Sequence, residues 1–162
     1  TTVASALARE LGFEMIEGDE HHPAANVAKM RAGIPLTDED RRPWLQALAR
    51  ILGERHSRGE GTVLACSALK RAYRDILRSA VPLAETFVIE LDAEPATLRR
   101  RMEARTGHYM PASLLESQLA TLEHLGGQEL GGIVDTDRPP EAVIASARAA
   151  IEAARSDRRP AT

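Results

Sequence analysis

Residues 1–23 read TTVASALARELGFEMIEGDEHHP, and this stretch decides the fold class. Residues 2–11 are Ala-rich, with Val3, Leu7 and Leu11 four apart on one face. That spacing predicts a short amphipathic helix, which Gly12 stops. FEMIE (13–17) then alternates apolar and polar residues, the pattern of a strand, and Gly18 breaks it. The polar turn GDEHHP (18–23) follows. A helix already under way, then a strand, then a polar turn reads as the second half of a larger unit.

The alternation continues along the chain. Residues 23–32 suit a helix ending at Gly33. TDED (37–40) resembles a capping box, and opens a helix carrying Trp44, Leu45, Leu48, Ile51 and Leu52. GTVLAC (61–66) is a short apolar run and predicts a buried strand. Residues 68–80 carry Leu69, Tyr73, Ile76 and Leu77 at helical spacing, and TFVIEL (86–91) is the next strand. A helix with Pro95 at its start spans 95–105. GIVDT (132–136) is a last strand and 140–154 a last helix. Strands separated by helices imply parallel pairing through right-handed crossovers, with ligands gathered at the carboxyl ends of the strands. One domain over 1–155 is expected, followed by a polar tail over 156–162.

Composition narrows the function classes. The net charge of −3 gives no global basic field for nucleic acid, so any anion site is local. The one cysteine, Cys66, excludes an internal disulfide framework and suits a reducing compartment. It reads as a small buried residue rather than a nucleophile. No apolar run approaches the roughly 20 residues that cross a bilayer. A cytoplasmic protein that binds neither membrane nor nucleic acid is expected.

Three polar stretches fall at or near strand ends. In GDEHHP, adjacent imidazoles and carboxylates rarely converge on one metal ion, and no zinc spacing is present. The stretch is either a polar turn capping the next helix or a site in which Asp19 orients a substrate hydroxyl, with His22 beside it. In CSALKRAYR (66–74), Ser67, Lys70 and Arg74 are spaced by three and four. On a helix they share one face, which either grips a carboxylate or polyol or is a solvated basic face. In LRRRMEARTGHYMPASLLESQLATLE (98–123), Arg101 and Arg105 end one helix, Gly107 breaks it, and Leu115, Leu119 and Leu122 mark a second. Helix, polar turn and helix between two parallel strands predict a lid over about 106–125, its arginines able to meet phosphoryl charge. The opening TTVASALA is placed by the same logic. If Lys stood before Thr1, the pattern would be the end of a P-loop, with Thr1 the hydroxyl that binds Mg²⁺.

The stretches GDEHHPAANVAKMRAGIPLTDEDRRPWL, CSALKRAYRDILR, GHYMPASLLESQLATLE and VDTDRPPEAV, in this order, resemble the gluconokinase family of P-loop small-molecule kinases. The first two are long and specific, and the four are spread over residues 18–143. The resemblance implies a three-layer α/β/α, nucleoside-monophosphate-kinase-like fold with a five-stranded parallel sheet and a helical lid. It implies ATP-dependent phosphorylation of D-gluconate to 6-phosphogluconate with Mg²⁺, and a possible homodimer. Asp19 and His22 would line the sugar-acid pocket. Ser67, Lys70 and Arg74 would hold the acid's carboxylate or hydroxyls. Thr1, Thr2, Arg101 and Arg105 would face ATP, and the loop DTDRPP (135–140) would lie near the adenine. The family's central first strand and glycine-rich loop are not among these 162 residues. They are expected ahead of Thr1, ending in Lys. Alternative readings are a kinase for another small hydroxy acid such as shikimate, and a non-catalytic remnant lacking its P-loop.

Overall fold

Helices and strands alternate through residues 1–104 and 114–156, which the computed structural model describes. Helix α1 (Thr2–Leu11) ends on Gly12, whose φ of 67° closes it in the left-handed conformation that glycine adopts without strain. Strand β1 (Glu14–Glu17) leads into a 3₁₀ turn (Gly18–His21) and then α2 (Ala24–Arg31). Helix α3 (Asp38–Ser57) opens with a full capping box: the Asp40 amide donates to the Thr37 hydroxyl, and the Thr37 amide to the Asp40 carboxylate. Strand β2 (Thr62–Ala65), α4 (Arg71–Arg78), β3 (Val88–Asp92) and α5 (Pro95–Glu103) follow. After them come α6 (Leu115–Thr121), β4 (Gly131–Asp135) and α7 (Pro140–Ser156). The C-terminal half of the lid region is α6, while 105–113 lie outside the described residues, as does 157–162 of the tail.

Pairing is parallel throughout. β1 pairs with β2 in the register Ile16 to Leu64, and β3 with β4 in the register Leu91 to Val134. The described strands therefore form two two-stranded halves, β1–β2 and β3–β4. β2 is only half-buried along its length, where GTVLAC predicts a buried strand. Among the described residues its strand neighbour is β1.

Helices cover both faces. On one side Trp44, Leu45 and Leu48 of α3 pack with Ile16 of β1 and with Tyr73 and Leu77 of α4. Trp44 and Leu45 are fully buried, so this cluster anchors α3 and α4 to the β1–β2 half. On the other side Leu7 of α1 packs with Val134 of β4 and with Val143 and Ala147 of α7. α1 and α7 thereby bridge the two halves from one face. Helices above and below a parallel sheet make the three-layer architecture. It places the turn after β1, the loop after β2 and the loop after β4 along one edge.

Candidate active site

Gly18 opens the turn after β1, and only glycine fits there. A Cβ at this position would stand 2.7 Å from the Ala65 carbonyl oxygen at the end of β2. The Gly18 carbonyl accepts a hydrogen bond from Trp44 Nε1 at 2.8 Å. Buried Trp44 thus ties the polar turn to α3 and fixes where Asp19 and His22 leave the sheet. The imidazole of His22 stacks on Trp44, with ring centroids 3.9 Å apart and planes 19° apart. His21 is exposed, so the adjacent imidazoles part company. Burial, and then the charge of Arg41, lower the His22 pKa to about 4, so the ring is neutral at neutral pH. Its Nδ1 lies 3.3 Å from Asn26 Nδ2, and Asn26 also donates to the Asp40 carbonyl.

His22 lines a small cleft together with Ser67, Arg41, Leu36, Leu114 and Gln118. Its apolar wall is the Met30, Leu36 and Leu114 cluster. Leu114 and α6 close the side expected for the lid. Cys66 adjoins the cleft. Its thiol is pushed up to about 12 by burial and then by the charge of Asp19, with Arg41 pulling the other way, so it stays protonated. Asp19 and Arg41 both act on the thiol, which sets them around the carboxyl end of β2.

The second predicted stretch is arranged differently from its spacing. α4 begins at Arg71, not at 68, so Ser67 and Lys70 belong to a loop and share no helical face with Arg74. Lys70 pairs with Asp38 at 2.8 Å, and Tyr73 donates to the same carboxylate at 2.5 Å. Arg74 points away from the cleft. It is buried and bidentate on Glu129, at 2.7 and 2.8 Å, and its Nη1 donates to the carbonyls of Ala68, Leu69 and Glu123. Its hydrogen bonds join the loop 122–130 to the residues just ahead of α4, which makes it a clamp between them. Arg74 holds the Glu129 carboxyl down at about 2.

The nucleotide side is partly described. The Thr1 hydroxyl donates to Glu17 at 2.6 Å, so the start of α1 meets the carboxyl end of β1. Thr2 is exposed in the first turn of α1. Arg101 donates to the Thr136 hydroxyl and carbonyl, at 2.9 and 2.6 Å, which fastens α5 to the loop after β4. Asp137 in that loop accepts from the Glu94 amide at 2.8 Å, just ahead of α5. Arg105 lies outside the described residues.

Arg41 escaped the reading of the sequence. It is 8% exposed and reaches the cleft wall from the first turn of α3. The signal was present: Arg41, Trp44, Leu45 and Leu48 follow the i, i+3, i+4, i+7 pattern of the buried face.

A three-layer parallel α/β fold with a polar cleft at one strand edge is the architecture of P-loop small-molecule kinases. A family model described as "AAA domain" matches residues 1–125. A gluconokinase of Gluconobacter oxydans (strain 621H) is 49% identical over 144 residues, 89% of this chain and 80% of that protein. The thermosensitive gluconokinase of Escherichia coli (strain K12) is 38% identical over 159 residues, 98% of this chain and 84% of that protein. The crystal structure of a gluconokinase from Sinorhizobium meliloti 1021 superposes with a TM-score of 0.85 at 42% identity. It covers 96% of this chain and 86% of the other. The chain belongs to the gluconokinase family. Among the described residues no helix is long and apolar enough to cross a membrane.

Proposed function

We propose that this protein transfers the terminal phosphoryl group of ATP to the terminal hydroxyl of D-gluconate, giving 6-phospho-D-gluconate. The observation that carries the reading is the cleft at the ends of β1 and β2. A neutral His22 and the Ser67 hydroxyl face it, beside the turn that bears Asp19, in a chain of this family. Such groups suit a polyol: a neutral imidazole and a hydroxyl both donate and accept.

In this reading Asp19 accepts a hydrogen bond from the attacking hydroxyl and takes its proton as the bond to phosphorus forms. His22 and Ser67 orient the sugar chain, so that much of the rate comes from positioning. The start of α1 and the loop after β4 face the nucleotide. Thr1 and Glu17 offer hard oxygen donors at one point on that edge, a set that fits Mg²⁺. When bound, Mg²⁺ supplies charge neutralisation at the phosphoryl oxygens. Arg101 holds α5 in place through Thr136. The names of the relatives favour gluconate over shikimate as acceptor. A panel of sugar acids and shikimate with ADP detection tests this: gluconate should be the preferred acceptor. Turnover with shikimate but not gluconate would overturn the reading.

A further inference from the structure

Arg41 is a buried cation that makes no ion pair among the described residues. Its side chain sits in the wall of the cleft, and its Nε is out of contact with solvent and has no hydrogen-bond partner. Two of the three acids just ahead of it in sequence are taken. Asp38 holds Lys70 and the Tyr73 hydroxyl, and Asp40 holds Lys29 at 2.7 Å while completing the capping box. The guanidinium carbon lies 5.8 Å from the centre of the Tyr73 ring, a contact that offsets part of the cost of removing a charge from water and uses none of its donors. A buried guanidinium with an empty donor is costly unless something completes it. The opening beside it leads into the cleft that His22 and Ser67 face. A guanidinium edge is matched by two coplanar oxygens, which a carboxylate presents.

We propose that Arg41 is the carboxylate anchor of the acceptor site and the residue that makes the protein select acids over neutral polyols. This rests on the gluconate-kinase reading above and adds to it the group that recognises the acid end. Arg41 reads the carboxylate, and the sugar chain then runs past His22 and Ser67 with its far hydroxyl toward Asp19. Arg74, committed to Glu129, takes no part in this recognition.

The test uses the full-length protein with Arg41→Gln and Arg41→Lys, titrated with D-gluconate and with D-glucitol, which carries an alcohol in place of the acid. Thermal shift without nucleotide and steady-state kinetics are the readouts. Gluconate should bind the wild type far better than glucitol. In Arg41→Gln gluconate binding should weaken on the order of 100-fold, to the level of glucitol, with the kinetic loss mainly in KM. Arg41→Lys should fall between. Without ligand, Arg41→Gln should melt at or above the wild-type temperature, because an unpaired buried charge has been removed. A gluconate shift undiminished in Arg41→Gln overturns the proposal. So do equal losses for glucitol, or a melting temperature several degrees lower in both variants, which marks a structural arginine. If the wild type ignores gluconate but binds another hydroxy acid, the gluconate reading fails. Arg41 is then judged by the same loss with that acid. If no acid in the panel binds, both readings fall.

Discussion

Asp19 leaves the sheet at the turn that Gly18 and Trp44 fix, beside a neutral His22. In the proposed reaction this carboxylate takes the proton of the attacking hydroxyl and has little to do with nucleotide affinity. Asp19→Asn should therefore lower kcat by about 10²- to 10⁴-fold and leave the KM for ATP near its wild-type value. Steady-state kinetics at saturating gluconate check this; near-normal turnover would remove Asp19 from the chemistry. The positions of Asp19, His22 and Ser67 at strand ends were legible because each follows a strand in a stretch of specific sequence. Arg74 and Arg41 were not read correctly, and for one reason. Spacing tells which residues can share a face but not which acid lies across the fold. Glu129, 55 positions from Arg74, engages Arg74 on both oxygens, while Arg41 makes no ion pair among the described residues.

At the scale of elements, α4 shows tertiary contacts overriding local preference. Ala68 and Leu69 favour helix, yet their carbonyls accept from Arg74 Nη1, and that of Leu69 also from the Glu123 amide at 2.8 Å. Those carbonyls serve the packing of the loop 122–130, and the helix starts at Arg71 instead. Elements that carry their own end signals were easier to read. Gly12 closes α1 and the Thr37 box opens α3 where the sequence placed them. The clamp itself is testable. Arg74→Ala leaves the buried Glu129 carboxylate only the longer contact to Arg78, at 3.6 Å, as an ion pair and should cost about 3 kcal/mol in urea denaturation. A change below about 1 kcal/mol would mean that the pair does not hold α4 to this loop.

The whole molecule is two parallel strand pairs bridged by α1 and α7, with the cleft on the β1–β2 half and the loop after β4 on the other. Parallel pairing was legible from the alternation of strands and helices, and the three-layer architecture from the family resemblance; the half-burial of β2 was not, since burial depends on which strands are neighbours. Two displaced ionisations set the acid response. His22 is held near 4, below its ordinary 6.5, so the unfolded chain takes up its proton first. Its contribution to stability is complete above about pH 6.5 and is lost as pH falls toward 4. Glu129, held near 2 against an ordinary 4.5, adds a contribution complete above 4.5 and lost below it. Urea midpoints should thus be flat from pH 8 to about 6.5, then fall, and fall further below about 4.5. A midpoint that rises on acidification from 6.5 to 4 would contradict the burial of a neutral His22.

The most direct test of the central claim is the product. Phosphorus NMR of the reaction of ATP with D-gluconate should show one new phosphomonoester, coupled to the two protons of the terminal carbon. ADP formed without a phosphomonoester of gluconate, or phosphate on any other hydroxyl, would contradict the placement of Asp19 at the far end of an acid anchored in this cleft.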